Sequence, residues 1–233
     1  MTTISNPNQR ISSIDLVKGL AMLIMALDHV RDYVHAPAFL FDPADPTQTT
    51  LAIFFTRWVT HFCAPAFSFL AGMSAFMVGK RKPLNELSGF LLKRGIWLIF
   101  IELTIVGFAW YFDFRFGTFG LLTIWSLGIS MVVLAGLVYL PKKFILIFSI
   151  VLIFGHNLLD NFQLNDSILW AILHKLNIFM LSENLMFVVG YPMIPWIGVM
   201  ALGYWFGTYY NKSVDNSKRK LTFNLIGICA IIL

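Results

Sequence analysis

Long apolar stretches separated by short polar segments dominate the chain. Seven of them run roughly over 14–34, 52–79, 90–112, 118–140, 144–159, 185–210 and 221–233. A helix that crosses the hydrocarbon core of a bilayer needs about 20 predominantly apolar residues. The pattern therefore predicts an all-α polytopic membrane protein, a helical transmembrane bundle with about seven spans in a single domain over 1–233. The fifth stretch is short and borrows from its flanks. The seventh stops at Leu233 within an apolar run, so the chain is expected to be a piece of a larger bundle with further spans. The N-terminus is polar, and the first stretch is too long for a signal-peptide core and lacks a small-x-small cleavage site, so it reads as a retained span.

Composition agrees with this class. Only 12% of the residues are charged and 58% are hydrophobic, whereas a soluble domain carries about a quarter charged residues. In a soluble chain the net charge of +5 would point to nucleic acid. Here the basic residues sit in short loops, which favours a topological reading and no nucleic-acid partner. Cys63 and Cys229 both fall within apolar stretches and predict packing positions rather than a disulfide.

The charges assign sides. One set of loops and span ends holds Arg10 and Lys18, then Lys80, Arg81, Lys82, Lys93 and Arg94, then Lys142 and Lys143, then Lys212, Lys218, Arg219 and Lys220. The alternate set holds Arg31, Arg115 and Lys175 among Asp42, Asp45, Asp113, Asp160 and Asp166. The bias of Lys and Arg in short loops places the N-terminus in the cytoplasm, with the chain crossing the membrane several times. The Pro- and Asp-rich segment 36–50 then becomes an ordered outer loop. The connection near His156 to Asn184 is also outer, and its stretch 169–180 reads as an interfacial amphipathic helix.

Ionisable residues inside apolar stretches are costly and point to function unless they merely lock helices. Asp28, His29, Arg31, Asp32 and His35 crowd the outer end of the first stretch. Asp28 and Asp32 share a helical face, as do Arg31 and His35. These are either a solvated helix end with snorkelling side chains or carboxylates that orient a histidine for proton transfer. For His29 the better-placed carboxylate is Asp32, one turn away. Arg57 and His61 share a face of the second stretch. Arg57 either pairs with Glu102, Asp28 or Asp32 to lock helices, or holds an anionic group, for which its bidentate fork is suited. Lys18, Lys93 and Arg94 lie at the cytoplasmic side, as topology charges or as a basic mouth for a phosphorylated donor. Pro65, Pro192 and Pro195 interrupt helices and permit kinks that line a cavity. No Walker loop, dinucleotide fingerprint, Cys/His zinc spacing or G-x-S-x-G elbow is present, and no metal site is expected.

Several segments resemble one acyltransferase family. Arg10-Ile-Ser-Ser-Ile-Asp15-Leu-Val-Lys18-Gly19, followed by Met22, Met25 and Asp28-His29-Val-Arg31-Asp32, is similar to the opening motif of bacterial membrane proteins grouped with the catalytic domain of heparan-alpha-glucosaminide N-acetyltransferase. The likeness continues through Thr56-Arg57-Trp58-Val59-Thr60-His61-Phe62-Cys63-Ala64-Pro65 and Phe69-Leu70-Ala71-Gly72. It includes Leu92-Lys93-Arg94-Gly95 with Glu102, and Tyr191-Pro192-Met193-Ile194-Pro195-Trp196-Ile197-Gly198. Lys18 stands where the family more often has arginine.

The resemblance implies transfer of an acyl group, acetyl in the characterised lysosomal relative, from cytoplasmic acetyl-CoA to an extracytoplasmic amino sugar. That relative depends on a histidine shortly after its first span, and His35 lies closest to that place. It lacks the Asp28-His29 pair and the Arg57 and His61 arrangement, so the equivalent histidine stays open among His29, His35 and His61. The expected partners are membrane lipid and an extracytoplasmic glycan or amino-sugar acceptor, with homo-oligomer formation left open. A proton-coupled carrier of a small solute or lipid-linked substrate is the competing reading, and a scaffold whose buried charges only lock helices is a third.

Overall fold

Thr50 opens a helix, and Pro65 interrupts the apolar stretch that follows. The computed structural model describes residues 12–34, 43–162, 164, 167–210, 217 and 220–225. The chain forms two compact units, Met1–Leu70 and Ala71–Leu233. In the first, α1 (Ser12–Val34) carries Asp15 in its first turn and Arg31 in its last, the arrangement that the helix dipole favours. The Thr50 hydroxyl accepts from the Ile53 amide and caps α2 (Leu51–Thr60). Pro65 stands in the first turn of α3 (Cys63–Gly79) and cannot return a hydrogen bond to the His61 carbonyl, so the two helices meet at a turn over His61 and Phe62. Cys63 is buried, and its thiol donates to the Ala21 carbonyl at 3.5 Å, tying α3 to α1.

Three further prolines stand immediately before helices: Pro83 before α4 (Leu84–Ile101), Pro141 before the helix Lys142–Gly155 and Pro192 before the helix Met193–Phe206. α4 continues as a π-helical segment, Glu102–Val106, and then as α5 (Gly107–Tyr111). After β1 (Thr118–Leu121) comes α6 (Thr123–Leu137), followed by α7 (Lys142–Gly155) and a 3-10 turn, His156–Leu159. α8 (Ile168–Leu173), β2 (Asn177–Ser182), β3 (Leu185–Val189) and α9 (Met193–Phe206) complete the second unit.

α4 packs on α6, and α9 packs on both α6 and α7. The core they enclose centres on Leu87, Leu91, Leu134, Ile145, Met200 and Tyr204. At the α4–α6 crossing a methyl group on Gly95 would lie 2.6 Å from the Gly128 carbonyl oxygen, and one on Gly128 would lie 2.8 Å from that of Gly95. Only glycine at both positions lets the two backbones approach this closely. The Ser88 hydroxyl adds a 2.7 Å hydrogen bond to the Ala135 carbonyl across the same interface.

The described residues are mostly helical, and a small sheet departs from the all-α expectation. Its order is β1-β3-β2, with β1 parallel and β2 antiparallel to β3. Residues 118–121 and 185–189 therefore open the fourth and sixth apolar stretches as strands, not helices. The expected interfacial helix at 169–180 is helical only as α8 and then becomes β2. The cause is pairing between segments far apart in sequence: Leu121, Val189 and Ala171 bury together with Phe179 and Phe187.

Among the described residues, two helical stretches are long and apolar enough to cross a membrane: Leu51–Gly79, which comprises α2, the turn and α3, and Lys142–Leu159. Seven uninterrupted spans are thus an expectation beyond what the helices display. Of the seventh stretch, residues 221–225 are helical and 226–233 lie outside the described residues.

Candidate functional site

Asp28 organises the polar cluster of the first unit. One carboxylate oxygen, Oδ1, accepts the Thr60 hydroxyl at 2.6 Å and lies 2.8 Å from Arg31 Nη1. The other, Oδ2, meets Arg57 Nη1 at 3.3 Å. Arg31 Nη2 donates to Asp32 Oδ1 at 2.7 Å. Two aspartates and two arginines therefore form a network in which the formal charges cancel, as a poorly solvated site requires.

Helix geometry explains the cluster. Asp28, Arg31 and Asp32 lie within about 40° to 100° of each other around α1, because Asp28 and Arg31 are three residues apart, Arg31 and Asp32 one, and Asp28 and Asp32 four. Arg57 and Thr60, three apart on α2, face them together. The Thr60 hydroxyl is also within 3.1 Å of the Arg57 carbonyl. The Arg31 side chain is only 9% exposed, and its Nε finds no hydrogen-bond partner among the described residues. Arg57 is 29% exposed. It donates to Asp28 on one side and on the other lines an open groove of about 240 Å3 with Ala44, Phe54, Trp58, His61 and Phe62. A guanidinium has five N–H donors in a fixed fork, so Arg57 keeps donors for an anionic or carbonyl oxygen in that groove. Trp58 and Phe62 meet edge to face at 5.4 Å and supply an apolar wall.

The candidate residues separate as follows. Asp28, Asp32 and Arg57 come together, joined by Arg31 and by Thr60, a residue the sequence reading did not single out. Asp32 accepts from Arg31. His29 is exposed on α1, and His61 is exposed beside Arg57 in the groove lining. His35 lies outside the described residues. Lys18 is half-buried on α1, whereas Lys93 and Arg94 are exposed on α4, with Lys93 beside Ile96, Trp97 and Phe100. Arg57 takes Asp28 out of its three candidate carboxylates.

Glu102 has another engagement. It is 1% exposed, and its Oε2 accepts from the Trp125 amide at 3.1 Å. Trp125 is the third residue of α6, whose N-cap, Leu122, offers no side-chain acceptor. A carboxylate borrowed from the end of α4 thus satisfies a first-turn amide of α6 and complements its dipole. The π-helical step at Glu102 is the local adjustment of α4 at this contact.

The loops carry two ordered carboxylates. Asp45 accepts from the Thr47 hydroxyl and amide and from the Gln48 side chain, and these bonds hold its carboxyl below the usual range. Asp113 accepts from the Arg115 amide at 2.8 Å and the Gly117 amide at 2.7 Å, with the same consequence. Residues 43–50 of the expected outer loop are thus ordered around Asp45, and 36–42 lie outside the described residues. In the second unit Asp160 and His174, fourteen residues apart, form a 2.9 Å pair that the sequence reading passed over.

Comparison with known proteins adds one match. The family model described as heparan-alpha-glucosaminide N-acetyltransferase, catalytic, matches residues 10–231. No curated protein and no solved structure matches the chain.

Proposed function

Since the chain belongs to the heparan-alpha-glucosaminide N-acetyltransferase catalytic family, we propose that it is a membrane-embedded acyltransferase. It moves an acyl group, acetyl by family, from cytoplasmic acyl-CoA to an extracytoplasmic sugar or glycan. The observation that carries this reading is the charge-neutral network of Asp28, Arg31, Asp32, Arg57 and Thr60 beside an aromatic groove, in the stretch that bears the family's opening motifs. The exposed apolar side chains of α7, among them Phe144, Ile147, Val151 and Phe154, with Leu158 of the 3-10 turn that follows, favour lipid as their surroundings.

In this reading Lys18, Lys93 and Arg94 attract the anionic donor at the cytoplasmic face. Arg57, held by Asp28, turns its remaining N–H donors toward the acyl carbonyl, where they stabilise the oxygen as it gains charge. One of His29, His35 and His61 accepts the acyl group or a proton. Asp28 and Asp32 fix both arginines, so they act through position. The charge alternation of the loops supports an inner-membrane, N-in arrangement.

The competing proton-coupled carrier draws on the same buried charges. The two readings part at the thioester, which an acyltransferase consumes and a carrier does not. Full-length protein in membranes, incubated with acetyl-labelled acetyl-CoA, should yield labelled protein or glycan. Solute movement that is independent of acyl-CoA, with no label transferred, favours the carrier.

A further inference from the structure

Beside Arg57, α2 carries a stripe of aromatic rings. Phe54, Trp58 and Phe62 recur every four residues, and the helical backbone runs on through His61, the C-cap of α2. Side chains four apart lie one above another on a helix, so the rings form a strip about 12 Å long at 1.5 Å per residue. Trp58 and Phe62 are more than half exposed. With Phe54 and Ala44 they wall the groove of about 240 Å3 that Arg57 and His61 also line. Like the Asp28 network, this groove lies wholly within the first unit, Met1–Leu70.

The aromatic wall selects the body of an occupant, and the charge balance selects its polar end. Exposed rings gain most from being covered by hydrocarbon. Among the described residues Arg57 pairs with Asp28 through Nη1, at 3.3 Å, and the rest of its five-donor fork serves an oxygen in the groove. Asp28 and Asp32 already balance Arg31 and Arg57. A carboxylate or phosphate would add an excess charge to this poorly solvated cluster. An ester or thioester carbonyl accepts the same hydrogen bond and adds none. An acetyl group supplies that carbonyl but leaves most of the strip uncovered, whereas a longer chain covers it.

We propose that this groove binds an aliphatic acyl chain longer than acetyl, with its carbonyl oxygen on Arg57 and its methylenes against Trp58, Phe62 and Phe54. That the chain is the transferred acyl group rests on the acyltransferase reading; its binding does not.

The test titrates the full-length protein in nanodiscs with methyl octanoate brominated at its chain end, which quenches an indole that it touches. Amounts are expressed per lipid, so that partition into the bilayer cancels. The quenching should contain a saturable part that is lost in Trp58→Phe, where the reporter is gone and the aromatic wall is kept. Phe62→Ala, at an exposed position, should raise the half-saturating amount about tenfold. The absence of a saturable part due to Trp58, as expected when bilayer lipid alone covers the rings, overturns the proposal. So does a half-saturating amount that is unchanged in Phe62→Ala. Tighter binding of the brominated free acid than of its ester overturns the assignment of a neutral carbonyl to Arg57.

A second arm follows transfer from acetyl-, butyryl-, hexanoyl- and octanoyl-CoA to glucosamine in membranes. The thioester C–S bond breaks, a C–N bond forms, and the proton lost by the amine ends on the coenzyme A thiol. kcat/KM should rise about two- to fourfold for each methylene that reaches the strip, and the ratio of octanoyl to acetyl transfer should fall in Phe62→Ala. If no acyl-CoA of any length is consumed, the acyltransferase reading fails while the quenching still decides the groove. If acetyl is transferred and longer chains are not favoured, the identification of the bound chain with the transferred group fails alone.

Discussion

Asp28 receives contacts from three side chains, and that makes it the residue with most to lose. Asp28→Asn keeps an acceptor for Thr60 but removes the charge that balances Arg57. Breaking a fully buried pair costs about 3–5 kcal/mol. With partial exposure on both sides, about 1–3 kcal/mol is expected here. Arg57→Gln removes the opposite partner, so the double variant should lose less than the sum of the two single ones. Thermal melting in detergent checks this, and strictly additive losses would show that the 3.3 Å contact carries no coupling.

A pH prediction belongs to the same scale. The Asp113 carboxyl is held below its ordinary value of 3.8, first by the Arg115 amide and then by the Gly117 amide. A lowered native value means that the unfolded turn binds protons more readily. The stabilisation is therefore complete above the ordinary value and disappears as pH falls through the lowered one. Protection of the Gly117 amide, taken as its exchange relative to the intrinsic rate at each pH, should hold from neutral pH downward and be lost only in strong acid. Loss of that protection already near pH 5 would contradict the assignment.

At this scale the need for a carboxylate beside Arg57 was legible, because an unpaired guanidinium in an apolar stretch is costly. Its choice of Asp28 over Asp32 or Glu102 was not, since all three satisfy the same requirement. Thr60 escaped notice because a threonine in an apolar helix ordinarily bonds back to its own helix, which it also does here.

At the scale of elements, the apolar periodicity located the helices but not their interruptions. Pro65 marked the break between α2 and α3 in advance. β1 and β3 gave no such sign: four or five apolar residues suit a buried strand and a buried helix equally, and only their mutual pairing decides. The α4–α6 crossing rests on Gly95 and Gly128. Gly95→Leu should force the helices apart and destabilise the second unit by about 1–3 kcal/mol, whereas Gly136→Ala, with nothing within 4 Å of the added methyl group, should be nearly neutral. Equal melting temperatures for the two variants would show that the close approach is unimportant.

For the whole molecule the family motifs were the most informative part of the sequence, spread from Arg10 to Gly198 and matched by the family model over residues 10–231. The number of spans was less legible, because a hydropathy stretch does not tell one uninterrupted helix from a strand that leads into a shorter one. The loop charges predict an N-terminus in the cytoplasm. In a cysteine-free background, Thr47→Cys should react with an impermeant thiol reagent applied outside intact cells, and Ser12→Cys should not. The reverse pattern would invert the topology.

The central claim, acyl transfer across a membrane, is tested most directly in sealed vesicles made from the full-length protein. Labelled acetyl-CoA is supplied on the face that bears the N-terminus and glucosamine is trapped on the other. The account predicts labelled N-acetylglucosamine inside, with loss of the label transfer in Arg57→Gln vesicles that retain folded protein. Glucosamine that crosses the membrane unmodified, with every acetyl group still on coenzyme A, would contradict it.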